Sequence, residues 1–448
     1  MRGVSAYCTR CGYEAPYWKP LCERCGAPLL PGGEGDRFRL EVVNTRGVWR
    51  YRRLLYISRA GCRSNITMGE GSTPLLEAEV DGRRVLVKVE SRNPTGSFID
   101  RGSAVFATLA RCMGRRRVYI ASLGDLGISA ASYARLAGLK PVVYIPRSLP
   151  VNKLLQIQLL STSLRLFDSY SEAIERGVER GREGELVALP PAPAFVDGYR
   201  TISFELVEAL GSSIDYVAVP VGTGTLAISL WKGFTDLGLD PPLILGVVPR
   251  RGSQYLYDVE AEIPFFHPVL RRLEARGGVR IIDVEQGEVF RAMVMLARST
   301  GVVAEPSGVV ALAGVLKALR EGVVEGRGVV VVSGASFRDP LVLRKAISYL
   351  GREAPPLGEV LPMVGETKLR ILEIVAIRGP IHPYAIWKLL REGYGLTISV
   401  KTVYTHLKRL EEAGLVERVG VDTRGRLRIL YAATPLAREL LQREYKSG

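Results

Sequence analysis

Residues 87–102 read VKVESRNPTGSFIDRG. The overlapping run VLVKV (85–89) has the β-branched content and length of a buried strand. NPTGS (93–97) follows, where Pro and Gly punctuate a turn. Beyond the turn comes FID (98–100), with isoleucine at position 99. The nearest amine is Lys88, on the strand itself.

The same grammar repeats on both sides. RVYIAS (117–122), PVVYIP (141–146), YVAVPV (216–221), LILGVV (243–248) and VVVVS (329–333) are further short apolar runs, as expected of parallel strands covered on both faces. SAASYARLAG (129–138) and TISFELVEALG (201–211) between them read as helices. Strand–helix alternation predicts a layered α/β domain over about residues 72–345. Three strands run into Gly- or Ser-containing turns, SLGDLG (122–127), VGTGT (221–225) and SGAS (333–336). Turns at the carboxyl ends of parallel strands are where such sheets bind ligands, and their N–H groups can hold an anion.

The full chain has 448 residues, enough for two to four domains. At 47% hydrophobic and 24% charged it falls in the globular range, which excludes disordered, collagen-like and disulfide-miniprotein classes. No apolar run is long enough to span a membrane, and MRGVSAYCTRCG has no secretory core segment, so the expectation is a cytoplasmic protein without a membrane partner. Lys+Arg number 61 and Asp+Glu 46, a net +15. That invites a polyanion partner. Arg supplies 49 of the 61 cations, and Asn plus Gln only nine residues, a bias that fits a thermophilic source or a GC-rich genome.

Four of six cysteines lie in the first 25 residues, as Cys8-x-x-Cys11 and Cys22-x-x-Cys25. Two such knuckles present four soft thiolates to a tetrahedral metal, the pattern of a structural zinc ribbon. Gly12 and Gly26 follow the second cysteine of each pair, where a left-handed residue lets the knuckle turn. Neither pair precedes the strand–helix pattern of a thiol oxidoreductase. Cys62 and Cys112 are expected to be single, buried or incidental cysteines.

The segment 87–102 resembles the cofactor-lysine segment of threonine synthases, which belong to the fold type II, tryptophan-synthase-β-like group of pyridoxal phosphate (PLP) enzymes. GEGSTPLLEA (69–78), ASLGDLGISAASYARLAG (121–138), VPVGTGTLAISLWKGF (219–234), AEPSGVVALAG (304–314) and SGASFRDP (333–340) resemble that family's further motifs in order and spacing. The resemblance covers about residues 1–350 and implies a ligand pocket formed by Asn93, Thr95, Ser97, Ile99, Ser122, Gly124, Asp125, Gly222, Thr223, Gly224, Thr225 and Ser333. It also exposes three departures. Ile99 stands where the family has the lysine that forms the PLP Schiff base, and an isoleucine supplies neither imine nor proton shuttle. Asp125 replaces an asparagine that hydrogen-bonds the cofactor's phenolic oxygen, and a carboxylate repels that phenolate. The phosphate loop is one residue short, with Thr223 where an asparagine is usual. Ser333 keeps the hydroxyl that meets the pyridine nitrogen. The expectation is a catalytically inactive body with no catalytic residue, holding PLP non-covalently at most. Such a body either senses a ligand, such as an amino acid or a phosphorylated derivative, or serves as a dimerisation scaffold.

GREAPPLGEVLPMVG (351–365) reads as a linker, with three Pro and three Gly. Behind it, 366–380 and 382–395 carry helical periodicity, each ended by Gly. Ser399 can cap a third helix over 399–415, with Val403, Leu407 and Leu410 inward. VERVGVDTRGRLRILYAAT (416–434) reads as a β-hairpin. Three helices and a hairpin is the order of a winged helix-turn-helix. The third helix is expected to present Ser399, Lys401, Thr402, Tyr404, Thr405, Lys408 and Arg409 to double-stranded DNA, with Arg424, Arg426 and Arg428 on the wing. Residues 366–448 hold 15 Lys+Arg and nine Asp+Glu, so +6 of the net charge falls in this short tail. The segment 382–419 resembles PadR-like transcriptional regulators. That family's long C-terminal dimerising helix is nearly absent, which leaves dimerisation to the body.

The sequence thus predicts an α/β chain with a zinc ribbon (1–35), a threonine-synthase-like PLP-enzyme fold type II body (36–350), a linker (351–365) and a winged helix-turn-helix (366–448). Its expected function is that of a DNA-binding transcriptional regulator, a homodimer linked to amino-acid metabolism. The competing classes are a PLP lyase using a displaced lysine and a scaffold without a ligand.

Overall fold

A computed structural model describes residues 4–33, 35–62, 64–149, 151–250, 256, 259, 263–335, 366–394, 396, 398–422 and 428–444. The chain divides into two compact units, Met1–Arg352 and Glu353–Gly448.

The first unit opens with strands β1 (Ser5–Cys8), β2 (Glu14–Pro16) and β3 (Leu29–Pro31), paired antiparallel in the order β2-β1-β3. The knuckle glycines turn as the spacing predicts, with φ of 67° at Gly12 and 70° at Gly26. This ribbon is fastened to the body by buried polar contacts: the Tyr17 hydroxyl donates to Asp197 Oδ2 (2.8 Å). The body follows as β4 (Leu75–Val80), β5 (Arg83–Val89), α1 (Ile99–Cys112), β6 (Arg117–Ala121), α2 (Asp125–Leu136), β7 (Lys140–Pro146), α3 (Val151–Leu160), β8 (Ser163–Phe167), α4 (Tyr170–Arg182), β9 (Val187–Ala188), α5 (Pro193–Tyr199) and α6 (Thr201–Leu210). It continues with β10 (Tyr216–Pro220), α7 (Thr225–Asp236), β11 (Leu243–Pro249), α8 (His267–Glu274), β12 (Val279–Val284), α9 (Gln286–Thr300), α10 (Pro306–Arg320) and β13 (Gly328–Val332).

These strands form two sheets. The larger has the order β12-β11-β10-β13-β5-β4, parallel except for β4, and the smaller the parallel order β8-β7-β6-β9. The continuous apolar runs have a direct cause. Successive side chains of a strand point to opposite faces, and here both faces are covered. Val217, Val219, Val329 and Val331 join one buried cluster. Tyr216, Ala218, Val330 and Val332 join another.

The expectation for two cysteines is overturned. Cys62 and Cys112 form a disulfide, with Cα atoms 5.5 Å apart across a sequence separation of 50. It ties the segment behind a 3-10 turn (Tyr56–Ala60) to the C-terminal end of α1. Sequence spacing carried no sign of it, because the pairing depends on how α1 packs.

The second unit contains helices Glu366–Arg378, Pro383–Tyr394 and Val400–Glu412, then β14 (Val416–Asp422), β15 (Arg428–Ala433) and a short helix, Pro435–Glu444. Val403, Leu407 and Leu410 are buried as predicted, against Ile371, Val375, Ile386 and Leu390. The Ser399 hydroxyl accepts from Thr402 N–H (3.0 Å), capping the third helix. Ile381 pairs with Tyr431 as an added rung beside the hairpin. The linker 351–365 lies outside the described residues.

Candidate functional site

The carboxyl ends of β5, β6, β10 and β13 converge on an open cleft enclosing about 940 Å³, its mouth included. Ten of the sequence-predicted residues line it: Ser97, Ile99, Ser122, Gly124, Asp125, Gly222, Thr223, Gly224, Thr225 and Ser333. Segments separated by up to 236 residues are therefore brought to one cleft.

Asn93 and Thr95 are not brought there. Asn93 is buried and holds the turn itself, donating to Glu90 O and Oε2 (both 2.8 Å) and accepting from Gly71 N–H (2.9 Å). Thr95 donates through its N–H and hydroxyl to Asp100 (2.6 and 2.5 Å). These residues shape the loop that carries Ile99 and are not among the residues that line the cleft. The loop is also stitched to the end of β13: Phe98 N–H donates to Ser333 O (3.2 Å) and Ala335 N–H to Gly96 O (2.9 Å).

Ile99 is half-buried at the start of α1 and presents hydrocarbon to the cleft. Lys88 is engaged elsewhere, donating to Thr73 O (2.7 Å) and Glu205 Oε2 (2.5 Å). Beside Ile99, burial lifts the Asp100 carboxyl to about 6, against hydrogen bonds from Ser129 and Thr95 that lower it.

The second wall is the turn into α2. Ser122 Oγ accepts from the N–H groups of Gly124 (2.8 Å) and Gly127 (2.7 Å), so its side chain serves the turn. Gly124 has φ of 137°, and a Cβ there would come within 2.6 Å of Lys153 Cδ. Lys153 was not singled out in the sequence. It is buried, and its Nζ lies 3.0 Å from Asp125 Oδ1. Tyr170, Tyr199, Glu305 and Ser307 also line the cleft without having been anticipated.

The third wall is the loop before α7. Gly224 is left-handed, with φ of 84°, and starts the helix. Thr223 and Thr225 hydroxyls lie 3.0 Å apart. The loop's outer side is clasped by the start of α8: Phe266 N–H donates to Thr223 O (3.0 Å), and His267 Nε2 lies 2.8 Å from Gly222 O.

Two further candidate sites draw on other residues. In the ribbon, the sulfurs of Cys8, Cys11, Cys22 and Cys25 all lie within 4.8 Å of one another. Three pairs are at 3.4, 3.6 and 3.7 Å. Tetrahedral zinc with ~2.3 Å bonds to sulfur requires sulfurs roughly 3.8 Å apart, so this donor set fits that ion. In the second unit, Ser399, Lys401, Tyr404, Thr405, Lys408 and Arg409 are exposed on or beside one helix, with Thr402 half-buried. Arg424 and Arg426 lie outside the described residues. Arg428 is half-buried: its guanidinium lies 5.3 Å from the Tyr384 ring and 3.2 Å from His382 Nε2, so it packs onto the second helix as well as marking the hairpin.

Comparison with known proteins identifies both units. Residues 66–334 match the family model "Pyridoxal-phosphate dependent enzyme", and residues 371–443 match "Transcriptional regulator PadR-like family". Threonine synthase of Mycobacterium leprae is 30% identical over 302 residues, covering 61% of this chain and 84% of that protein. Threonine synthase of Methanocaldococcus jannaschii is 28% identical over 379 residues, covering 74% and 92%. Among solved structures, the L-serine ammonia-lyase of Rhizomucor miehei superposes with a TM-score of 0.53 at 19% identity, covering 65% of this chain and all of that one. That likeness bears on the fold alone.

Proposed function

We propose that this chain, which belongs to the family of pyridoxal-phosphate dependent enzymes and carries a PadR-like regulator domain behind the enzyme body, is a DNA-binding transcriptional regulator whose body binds a small ligand without catalysing a reaction. The observation that carries this reading is Ile99. It lines the cleft at the position where the family resemblance puts the cofactor lysine, and no lysine is among the described lining residues. A Schiff base needs an amine at that wall. Asp125, ion-paired to Lys153, adds a carboxylate where a phenolate would have to lie. The residues present do not fit covalently held PLP.

What supports a regulatory role is the second unit, with its capped third helix and exposed cations. A helix of this kind reads the major groove while a basic hairpin grips phosphates. A ligand that binds two conformations of the body unequally shifts operator affinity by linkage. A homodimer in the cytoplasm, presenting two such helices to half-sites about one helical turn apart, completes the reading. The threonine synthase relatives support a connection to amino-acid metabolism. The ribbon holds structural zinc.

Two measurements on the full chain test this. Incubation with PLP followed by borohydride should leave no reduced lysine adduct; a trapped adduct overturns the inactive body. Fluorescence anisotropy against genomic fragments should find a sequence bound far more tightly than bulk DNA; uniform weak binding overturns the regulator.

A second reading is favoured by the 30% identity to threonine synthases: a PLP lyase with a displaced lysine and an accessory winged helix. The same borohydride experiment separates the two.

A further inference from the structure

The two knuckles of the ribbon and the end of α8 meet in one exposed arginine cluster. Arg272 Nη2 donates to Thr9 O (2.8 Å), which joins the helix to the first knuckle. Arg10 and Arg24 occupy the same place in the two Cys-x-x-Cys loops, and Cys11 Sγ lies 3.6 Å from Cys25 Sγ, so the loops stand side by side. The Arg24 guanidinium lies 4.0 Å from the centre of the Tyr13 ring, which holds it in place. Arg271 and Arg276 are exposed on α8 and the turn after it, and Arg280 is exposed at the start of β12. Among the described residues none of these six arginines is ion-paired. Other surface arginines of the unit, such as Arg50, Arg180 and Arg250, have carboxylate partners. The acids of residues 4–33 and 267–280 are Glu14, Glu23 and Glu274. Glu23 is taken by Lys19 (2.5 Å), and Glu274 accepts from Ile281 N–H (3.1 Å). Zinc on four thiolates adds about two negative charges, fewer than the guanidiniums supply. An unpaired guanidinium keeps its full fork of N–H donors, which matches phosphate oxygens two at a time.

We propose that this face of the first unit is a second polyanion surface, and that its partner is the phosphate backbone of double-stranded DNA. It contributes affinity and no sequence preference, since phosphates carry no base information. Duplex DNA is the favoured polyanion because the same chain carries a PadR-like domain. Once one unit is bound, the other meets DNA at a raised effective concentration, so weak contacts add. The proposal rests on the DNA-binding reading above and extends it to the unit that matches an enzyme family.

The test uses the full chain and bulk duplex DNA. A triple variant, Arg10→Ala with Arg24→Ala and Arg272→Ala, is first checked by elemental mass spectrometry to hold as much zinc as wild type. In anisotropy titrations it should bind about 10- to 100-fold more weakly in ~0.1 M salt, with the slope of log affinity against log salt lower by roughly two to three. The ratio of specific to bulk affinity should not change. Lysine at the same three positions should keep most of the slope. A control triple, Lys140→Ala with Arg291→Ala and Arg298→Ala, removes the same charge from exposed positions on β7 and α9 and should leave the slope as in wild type. An equal fall in the control assigns the effect to net charge and overturns the proposal. Amide exchange on wild type reads the surface without any variant: duplex DNA should protect residues 9–12 and 23–26. Knuckles left unprotected overturn the proposal, and protection of residues 399–412 in that case leaves the regulator reading standing. Protected knuckles in a chain that discriminates no sequence keep this surface while the regulator reading falls. Single-stranded RNA held at the knuckles more tightly than duplex DNA overturns the choice of partner and the proposal with it.

Discussion

Arg101 lies between Glu90 and Glu205, 2.7 and 2.6 Å from their carboxylates, and is completely buried. Glu90 in turn accepts from Asn93, so the loop that carries Ile99 hangs from a buried ion cluster. Burial pushes the Glu205 carboxyl up, but Arg101 and Lys88 outweigh it and hold it below its ordinary range. Removing the cation leaves Glu90, among the described residues, with Thr73 and Asn93 as side-chain partners. Breaking one partner of a buried ion cluster costs about 3–5 kcal/mol. Arg101→Met should show that loss by denaturant unfolding, and Arg101→Met with Glu90→Gln should recover part of it. The wild-type cluster contributes stability above pH 4.5 that is lost as pH falls below it. A loss under ~1 kcal/mol for Arg101→Met is incompatible with this role.

The Cys62–Cys112 bond closes a long loop in the unfolded chain. Constraint of a 50-residue loop stabilises by about 4 kcal/mol in the chain-entropy account, and measured values usually fall at about 2–4. Cys62→Ser with Cys112→Ser should lower the unfolding free energy by about that amount. A reductant should lower wild type to the same level and leave the double variant unmoved. If reductant moves neither protein, the two thiols are unpaired in solution.

The strands at 216–220 and 328–332 were legible because both their faces are buried, which forces an unbroken apolar run. β8 (SLRLF) and β12 (VRIIDV) were not, since each is a sheet edge with polar residues interleaved. The division into two sheets was also hidden: β5 pairs with β13, some 240 residues away, and nothing local encodes that partner. The cleft itself was read from three loops, yet its charge was not. Lys153 sits 28 residues beyond Asp125 on a helix without any motif, and only folding places its ammonium behind the wall. Asn93 and Thr95 show the converse. Their polar side chains, in a turn at the pocket's edge, looked like ligand-binding groups and are spent on the backbone and on Asp100.

The four ribbon sulfurs are close enough for one ion, and the ribbon is pinned to the body through Tyr17 and Asp197. Metal loss should therefore loosen the body as well as the ribbon. Purified protein should carry about one zinc per chain by elemental mass spectrometry. Cys22→Ser should abolish it and lower the melting temperature. Zinc-free wild type with unchanged stability contradicts a structural site.

His406 lies on the candidate recognition helix between Thr405 and Leu407. Burial, with Lys368 and Arg409 nearby, holds its imidazole below the ordinary 6.5. The folded state then binds fewer protons than the unfolded one. Its contribution to stability is present above pH 6.5 and lost as pH falls through the lower folded value. Amide protection over residues 400–412, corrected for intrinsic exchange, should fall between pH 7.5 and 5.5. His406→Gln should flatten that dependence, and an equal fall in the variant assigns the effect to another group.

Lys401 and Lys408 are two turns apart on the exposed side of Val400–Glu412, and Tyr404 stands between them, 46% exposed. Cations that meet phosphates and a side chain that meets bases fail differently. Each lysine removed should weaken binding to all sequences and flatten the slope of log affinity against log salt by roughly one. Arg426→Ala, outside the described residues, should behave like the lysines if the sequence reading of it as a wing residue holds. Tyr404→Ala should instead erode discrimination between specific and bulk DNA, by about 1–3 kcal/mol for each base that the tyrosine reads, with the slope preserved. Lys140→Ala, on the exposed start of β7 in the first unit, is the control and should change neither quantity. Anisotropy titrations over a salt series separate the two signatures. If Lys401→Ala and Arg426→Ala both bind as wild type, the DNA face is not on this helix and hairpin.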